Sequence, residues 1–286
     1  MPTHPLSSRR TRRRFSLTLV GALVAAVALS GCGSGSSPGV VASKQKVVRI
    51  GSDLTYPPYD YMQGGAQAGF DPDFVRALAA QIGVKPAFRD TRFEQLIPNL
   101  DSGQFDVIAS ALYITAARAK QVDYIPYLTT GNSIVVRVDA ADQPSNVSGL
   151  CGKKVGLIKG AAVAQSLRQE AAGACKGSKP IDVREFPTDP EATQALLSNQ
   201  VDVQVTDAAV AKSVVDKTSG KLKISSTGLL YPIPVGLAVK KGNTALAKEL
   251  QQGLDNLRAS GTYQALLNRY NLKAPDPAQV AKILGS

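Results

Sequence analysis

Histidine is almost missing from this chain of 286 residues: its one copy, His4, lies in an N-terminal stretch that reads as removable. A histidine-based metal site or catalytic triad is therefore excluded from the mature protein, and no metal or cofactor is expected. Long apolar runs are also missing. Only residues 15–30 form one of useful length, shorter than the ~20 residues a spanning helix needs, so a polytopic membrane protein is excluded. A basic stripe with interleaved aromatics, the usual mark of a nucleic-acid surface, is missing too. The formal charge of +11 owes five arginines (Arg9, Arg10, Arg12, Arg13, Arg14) to residues 1–31, which hold no acid. Without them 28 basic residues face 22 acidic ones, and these are scattered. No nucleic-acid partner is expected. What is present, 44% hydrophobic and 19% charged residues, suits a folded protein of one large or two medium domains, not a disordered chain.

The N-terminus has the layout of an export signal: a basic stretch, an apolar run, then Leu29-Ser30-Gly31-Cys32 and a Gly/Ser-rich segment. Leu-Ser-Gly-Cys resembles the lipobox of bacterial lipoproteins. That resemblance implies a signal peptide over 1–31, lipidation (palmitate among the acyl chains) of Cys32, and a flexible anchored linker over 32–45. The protein is then exported and held at a membrane, on its periplasmic or cell-surface side. Thr11-Arg12-Arg13-Arg14-Phe15 also resembles a twin-arginine signal, and a merely basic n-region explains it equally well.

Cysteine is scarce, with three copies. Once Cys32 is assigned to lipid, Cys151 and Cys175 remain as an even pair in an exported chain, which favours a disulfide over two buried thiols.

The body alternates short apolar strands with helical spacing. Residues 47–50, 84–88 and 105–109 read as strands, and the spacing of Phe74, Leu78 and Ile82 predicts a helix over 72–82. Phe93, Leu96, Ile97 and Leu100 mark a second helical face. A second such unit has strands at 154–158, 181–186 and 201–206, with helices at 162–172, 191–197 and from 208. A strand at 235–239 and a helix at 244–258 follow. The expected class is α/β: two lobes, each a mostly parallel sheet flanked by helices, with a ligand cleft between them.

Five segments in order carry a family resemblance: Gly51-Ser52-Asp53-Leu54-Thr55-Tyr56-Pro57-Pro58-Tyr59, Gly69-Phe70-Asp71-Pro72-Asp73, Phe93-Glu94-Gln95-Leu96-Ile97-Pro98-Asn99-Leu100, Phe105-Asp106-Val107-Ile108-Ala109-Ser110 through Ile114-Thr115 to Arg118, and Gly152-Lys153-Lys154-Val155-Gly156-Leu157-Ile158-Lys159-Gly160. Together they resemble the extracytoplasmic solute-binding proteins of polar amino-acid ABC transporters (bacterial solute-binding protein family 3), over about residues 47–270. The resemblance implies the type II periplasmic-binding fold, in which the chain crosses between lobes twice. Lobe one then comprises 46–129 and 229–273, lobe two 130–228, and 274–286 is a tail without assigned function. It also implies a monomer that hands an amino-acid-like ligand to a permease and its ATPase.

By the same resemblance Arg118 grips the ligand's α-carboxylate, as a guanidinium does with two parallel hydrogen bonds; a surface arginine near Asp123 is the plainer alternative. Asp207 matches the acceptor of the α-ammonium and can equally cap the helix from Ala208. Tyr56 and Phe93 match aromatics that face the ligand, or else pack in the core. Asp53 either meets a cationic ligand side chain, which favours a basic amino acid or an opine, or orders the turn to Tyr56. Ser110, Ala111, Tyr113, Ile158, Ala161 and Ala162 complete the expected lining. Here the sequence departs from the family. Ala161, Ala162 and Val163 lack the usual hydroxyls, and Ala111 and Tyr113 stand where small or hydroxyl residues are common. Either backbone groups and Ser110 compensate, or the ligand is not a plain amino acid.

Two other classes fit less well. An exported dehydratase of the cyclohexadienyl or arogenate type shares this fold and needs a general acid in the cleft, for which Glu94 is the nearest candidate. A lipid-anchored sensor would signal ligand occupancy to a separate partner. No phosphate-binding loop is present, so the chain itself is not expected to hydrolyse ATP.

Overall fold

The computed structural model describes residues 46–285, so the expected signal peptide, Cys32 and the linker to residue 45 lie outside the described residues. In chain order the first half builds β1 (Val47–Ser52), β2 (Thr55–Tyr56), β3 (Asp60–Gln63), β4 (Ala66–Ala68), α1 (Phe70–Gln81), β5 (Lys85–Asp90), α2 (Leu96–Asp101), β6 (Val107–Ile108), α3 (Ala116–Ala119) and β7 (Val122–Arg137). The second half builds β8 (Lys154–Ile158), α4 (Ala162–Ala174), β9 (Asp182–Phe186), α5 (Asp189–Leu197), β10 (Val203–Asp207), α6 (Ala208–Lys217) and β11 (Leu222–Ile224). Then come β12 (Leu230–Lys240), α7 (Thr244–Ala259), α8 (Thr262–Arg269) and α9 (Pro277–Leu284).

One sheet joins the two α/β units, in the order β5-β1-β6-β12-β7-β10-β8-β9, with β11 on β7. Strand β1 runs parallel to β5 and β6, and β8 runs parallel to β9 and β10. Antiparallel β7 and β12 form the middle and belong to both units. The segments expected to cross between lobes, near 129–134 and 229–233, pair with each other here: Leu230 faces Asn132 and Ile233 faces Thr130, with a register shift between them. Each unit has its own core. Val48, Ile50, Phe70, Phe74, Leu78, Leu250 and Leu254 pack in the first, and Val155, Leu157, Val163, Leu167 and Val203 in the second. Cys151 and Cys175 are disulfide-bonded, as the cysteine count suggested.

Helix α1 starts two residues earlier than its spacing predicts. Gly69 allows this with φ 113; a Cβ there would lie 2.3 Å from the Tyr59 carbonyl oxygen. The small antiparallel sheet β2-β3-β4 is absent from the sequence expectation. Its hairpin turns at Gly64-Gly65, both at positive φ, as a two-residue hairpin loop requires. The expected tail carries α9, capped by the Asp276 side chain and tied by Gln279 Nε2 to the Pro232 carbonyl at 2.7 Å.

Candidate functional site

Strands β1, β6, β8 and β10 all deliver their carboxyl ends to one place, where open α/β sheets bind ligands. A cavity lies there, lined by Tyr56, Phe93, Ala111, Tyr113, Arg118, Asn132, Ile158, Ala161, Ala162, Val163, Val205 and Thr206. The positions open to the centre of a water molecule fill only about 20 Å³ of it, little more than one water requires. Arg118, Tyr113, Asn132, Ala161, Ala162 and Val163 also line a wider groove of about 610 Å³ next to it.

Eight residues expected in the lining are brought together here: Tyr56, Phe93, Ala111, Tyr113, Arg118, Ile158, Ala161 and Ala162. Asp53, Ser110 and Asp207 stand behind it. Asn132, Val163, Val205 and Thr206 line the cavity without having been singled out as ligand contacts. Val205 and Thr206 were legible only as strand residues preceding Asp207, and Asn132 sits inside a crossing segment whose register no local pattern fixes.

Arg118 follows the short helix start at Thr115, whose hydroxyl caps it by accepting from the Arg118 N–H. Its guanidinium donates to two carbonyls, Tyr113 at 3.0 Å in the first unit and Gly160 at 2.9 Å in the second. Its carbon lies 5.5 Å from the Phe93 ring centroid, within cation–π range. Burial pulls its pKa below the ordinary guanidinium value, while the Tyr124 and Tyr113 phenols oppose that. Among the described residues no carboxylate pairs with it; Asp123, the alternative partner, is taken by Lys241 at 2.7 Å. Helix α4 begins beside it at Ala161 with no side-chain cap, so its first N–H groups and dipole also favour an anion. The cavity is thus provisioned for a carboxylate.

Of the two roles expected for Asp53, its bonds here are those of ordering the turn to Tyr56. It is fully buried, and Arg92 Nη1 pairs with its Oδ1 at 2.9 Å. Its Oδ1 also accepts from the Thr55 hydroxyl at 2.7 Å, and Oδ2 from the Phe93 N–H at 3.0 Å. Asp53 therefore orders its own turn and holds Phe93 at the cavity. Ser110 supports the same turn by accepting from the Asp53 N–H at 3.0 Å. Asp71 accepts from the Ala111 N–H at 2.7 Å and the Tyr127 hydroxyl at 2.6 Å, fixing Ala111 at φ 44, a rare backbone for a residue with a Cβ.

Asp207 caps α6 through the Ala209 N–H at 2.9 Å. It also accepts from Tyr59 at 3.0 Å, Tyr113 at 2.8 Å and Thr130 at 2.8 Å. Burial raises its pKa above the usual carboxylate value, and these four bonds counter that. Burial and the nearby Asp207 charge raise the Tyr59 and Tyr113 phenols well above their ordinary value, so both remain donors at neutral pH. Tyr56 stacks near Tyr59, with centroids 6.1 Å apart, and its hydroxyl lies 3.4 Å from Thr206 Oγ1. Thr206 in turn donates to Asp189 at 2.7 Å. These bonds tie the β1–β3 region to β10 across the cleft.

A groove of about 600 Å³ lies elsewhere, lined in part by Lys212, Asp216, Leu229 and Arg269. Lys212 pairs there with Asp216, and Arg269 with Asp73, so these cations are already engaged.

The family model described as bacterial extracellular solute-binding proteins, family 3, matches residues 48–273. The chain is similar to the L-cystine-binding protein TcyJ of Escherichia coli (strain K12), at 29% identity over 223 residues, 77% of this chain and 81% of that one. It is also similar to a solved ancestral arginine-binding protein bound to arginine, at 35% identity and TM-score 0.72, over 79% of this chain and 98% of that one. A third likeness is the ancestral amino acid-binding protein AncCDT-1, a precursor of cyclohexadienyl dehydratase, at 31% identity and TM-score 0.68, over 78% and 95%. With strand order, cleft and family model in agreement, the chain has the type II periplasmic-binding fold and belongs to the bacterial extracellular solute-binding proteins, family 3.

Proposed function

We propose that this protein is the extracytoplasmic solute-binding component of an ABC importer for an amino acid or amino-acid derivative. The ligand's carboxylate sits on Arg118 and the first turn of α4, and lobe closure traps it. The observation that carries this is the Arg118 guanidinium: it faces the cavity, contacts a carbonyl from each unit, and pairs with no acid among the described residues. The similar proteins' ligands, cystine and arginine, share an α-carboxylate, the group Arg118 fits. Lobe one (46–129 and 229–273) and lobe two (130–228) would move about the paired segments of β7 and β12. A basic side chain loses its expected acceptor, because Arg92 holds Asp53. Cys32 lipidation would keep the protein, as a monomer, beside its permease and ATPase.

The dehydratase reading is less favoured, because no acid lines the cavity among the described residues. Glu94 instead lies 3.9 Å from Lys159 and packs against Gly160. The test is a thermal-shift panel on refolded exported protein, with L-amino acids, ornithine, citrulline, opines and prephenate. A ligand at 100 times its Kd adds about 2.7 kcal/mol of stability. A shift lost in Arg118→Ala supports the proposal. Turnover of prephenate, or silence across every carboxylate, contradicts it. Mass analysis of the native N-terminus tests lipidation separately: a free Cys32 thiol would refute it.

A further inference from the structure

The carboxylate of Asp207 is full. Oδ1 accepts from Tyr59 and the Ala209 N–H, and Oδ2 from Tyr113 and Thr130. A carboxylate offers about four lone-pair sites, and four neutral donors take them. All belong to ordered groups: Asp207 and Tyr59 are fully buried, Thr130 is 6% exposed and Tyr113 9%. A ligand's ammonium would bring three N–H donors and a charge into a cavity that no open acid lines among the described residues. The acceptors left are neutral: Asn132 Oδ1, and the oxygen of the Thr206 hydroxyl, whose proton goes to Asp189 at 2.7 Å. An ammonium buried without a carboxylate partner is costly. At the opposite end, a carboxylate is well served by Arg118 and α4.

We infer that Tyr113 sets the ligand class: its hydroxyl takes the place of a ligand ammonium on Asp207, so the site selects carboxylates without a free α-ammonium. This rests on the carboxylate reading of Arg118 and narrows it from amino acids to derivatives whose α-position carries hydroxyl or oxo in place of the ammonium. Selection acts through Asp207: occupied by the Tyr113 hydroxyl at 2.8 Å, it withholds the ion pair a zwitterion needs.

The test is calorimetry of the refolded exported protein with matched ligands of one side chain: the L-amino acid, its 2-hydroxy acid and its 2-oxo acid. Wild type, Tyr113→Phe, Tyr113→Ser and Arg118→Lys are compared. Tyr113→Phe keeps the ring, and its thermal unfolding checks the fold. In wild type the best member without an ammonium is expected to bind about tenfold or more tighter than the amino acid. Tyr113→Phe narrows that ratio, and Tyr113→Ser inverts it in favour of the amino acid. Arg118→Lys weakens every member. A wild type that prefers the free amino acid, with a ratio unmoved by Tyr113→Phe, overturns the inference and leaves the Arg118 reading standing. Binding of all members untouched by Arg118→Lys overturns the carboxylate reading itself. No binding of any member overturns both.

Discussion

Arg92 Nη1 lies 2.9 Å from Oδ1 of Asp53, and the same carboxylate receives the N–H of Phe93. The pair stands one step behind the cavity and holds an aromatic wall in place. Asp53 is buried, whereas Arg92 is 30% exposed and also pairs with Asp90, so its removal leaves a buried carboxylate short of a partner. Arg92→Ala is therefore expected to cost about 2 kcal/mol in urea unfolding. Asp53→Asn should weaken all ligands by a similar factor. A loss confined to basic ligands would mean that Asp53 meets the ligand after all.

The Cys151–Cys175 disulfide closes a loop of 24 residues. Its removal, as the double serine variant, should cost about 3 kcal/mol of stability in the chain-entropy model. Cys175 follows the last residue of α4, whereas the cavity meets its first turn. A helix of 13 residues separates them by about 20 Å. The ligand Kd of the variant should match wild type, read by calorimetry below its unfolding temperature.

Buried carboxyls are expected to make stability depend on pH. Burial raises Asp71 to about 7 and Asp189 to about 6, above the ordinary value of 3.8. Asp60, fully buried beside Asp71, is raised as well, by burial first and by the Asp71 charge next. A raised acid binds its proton more tightly folded than unfolded. Its stabilisation is full below the unfolded pKa and is lost as pH rises through the folded one. Between about pH 4 and 7 these groups should make stability fall as pH rises. Denaturant unfolding across that window checks this, and Asp71→Asn should flatten the slope.

Much of this was legible in the sequence, for a physical reason. Strand and helix patterns repeat locally, and the loops after β1, β6 and β8 carry recognisable residues at strand ends, where ligands of such sheets bind. Eight lining residues follow from the family resemblance that those segments carry. What local pattern does not carry is partnership. Nothing near Asp53 in sequence says that Arg92, across β5, will claim it. Tyr59, 148 positions before Asp207, gives no sign that it will donate to it. The β2–β4 hairpin had a signal in Gly64-Gly65 that its short, half-exposed strands obscured. Helix α9 was hidden by a segment too short to show several turns of periodicity, although Asp276-Pro277 is a sound helix start.

Arg118 is proposed to receive a ligand carboxylate. The direct measurement is calorimetry of one bound ligand against its own carboxamide, in wild type and Arg118→Ala. Charge-assisted hydrogen bonds of this kind are worth about 1.5–3 kcal/mol each. The amide is expected to bind wild type about a hundredfold more weakly, and Arg118→Ala to lose the difference between the two ligands. An amide that binds wild type as tightly as the acid would contradict it.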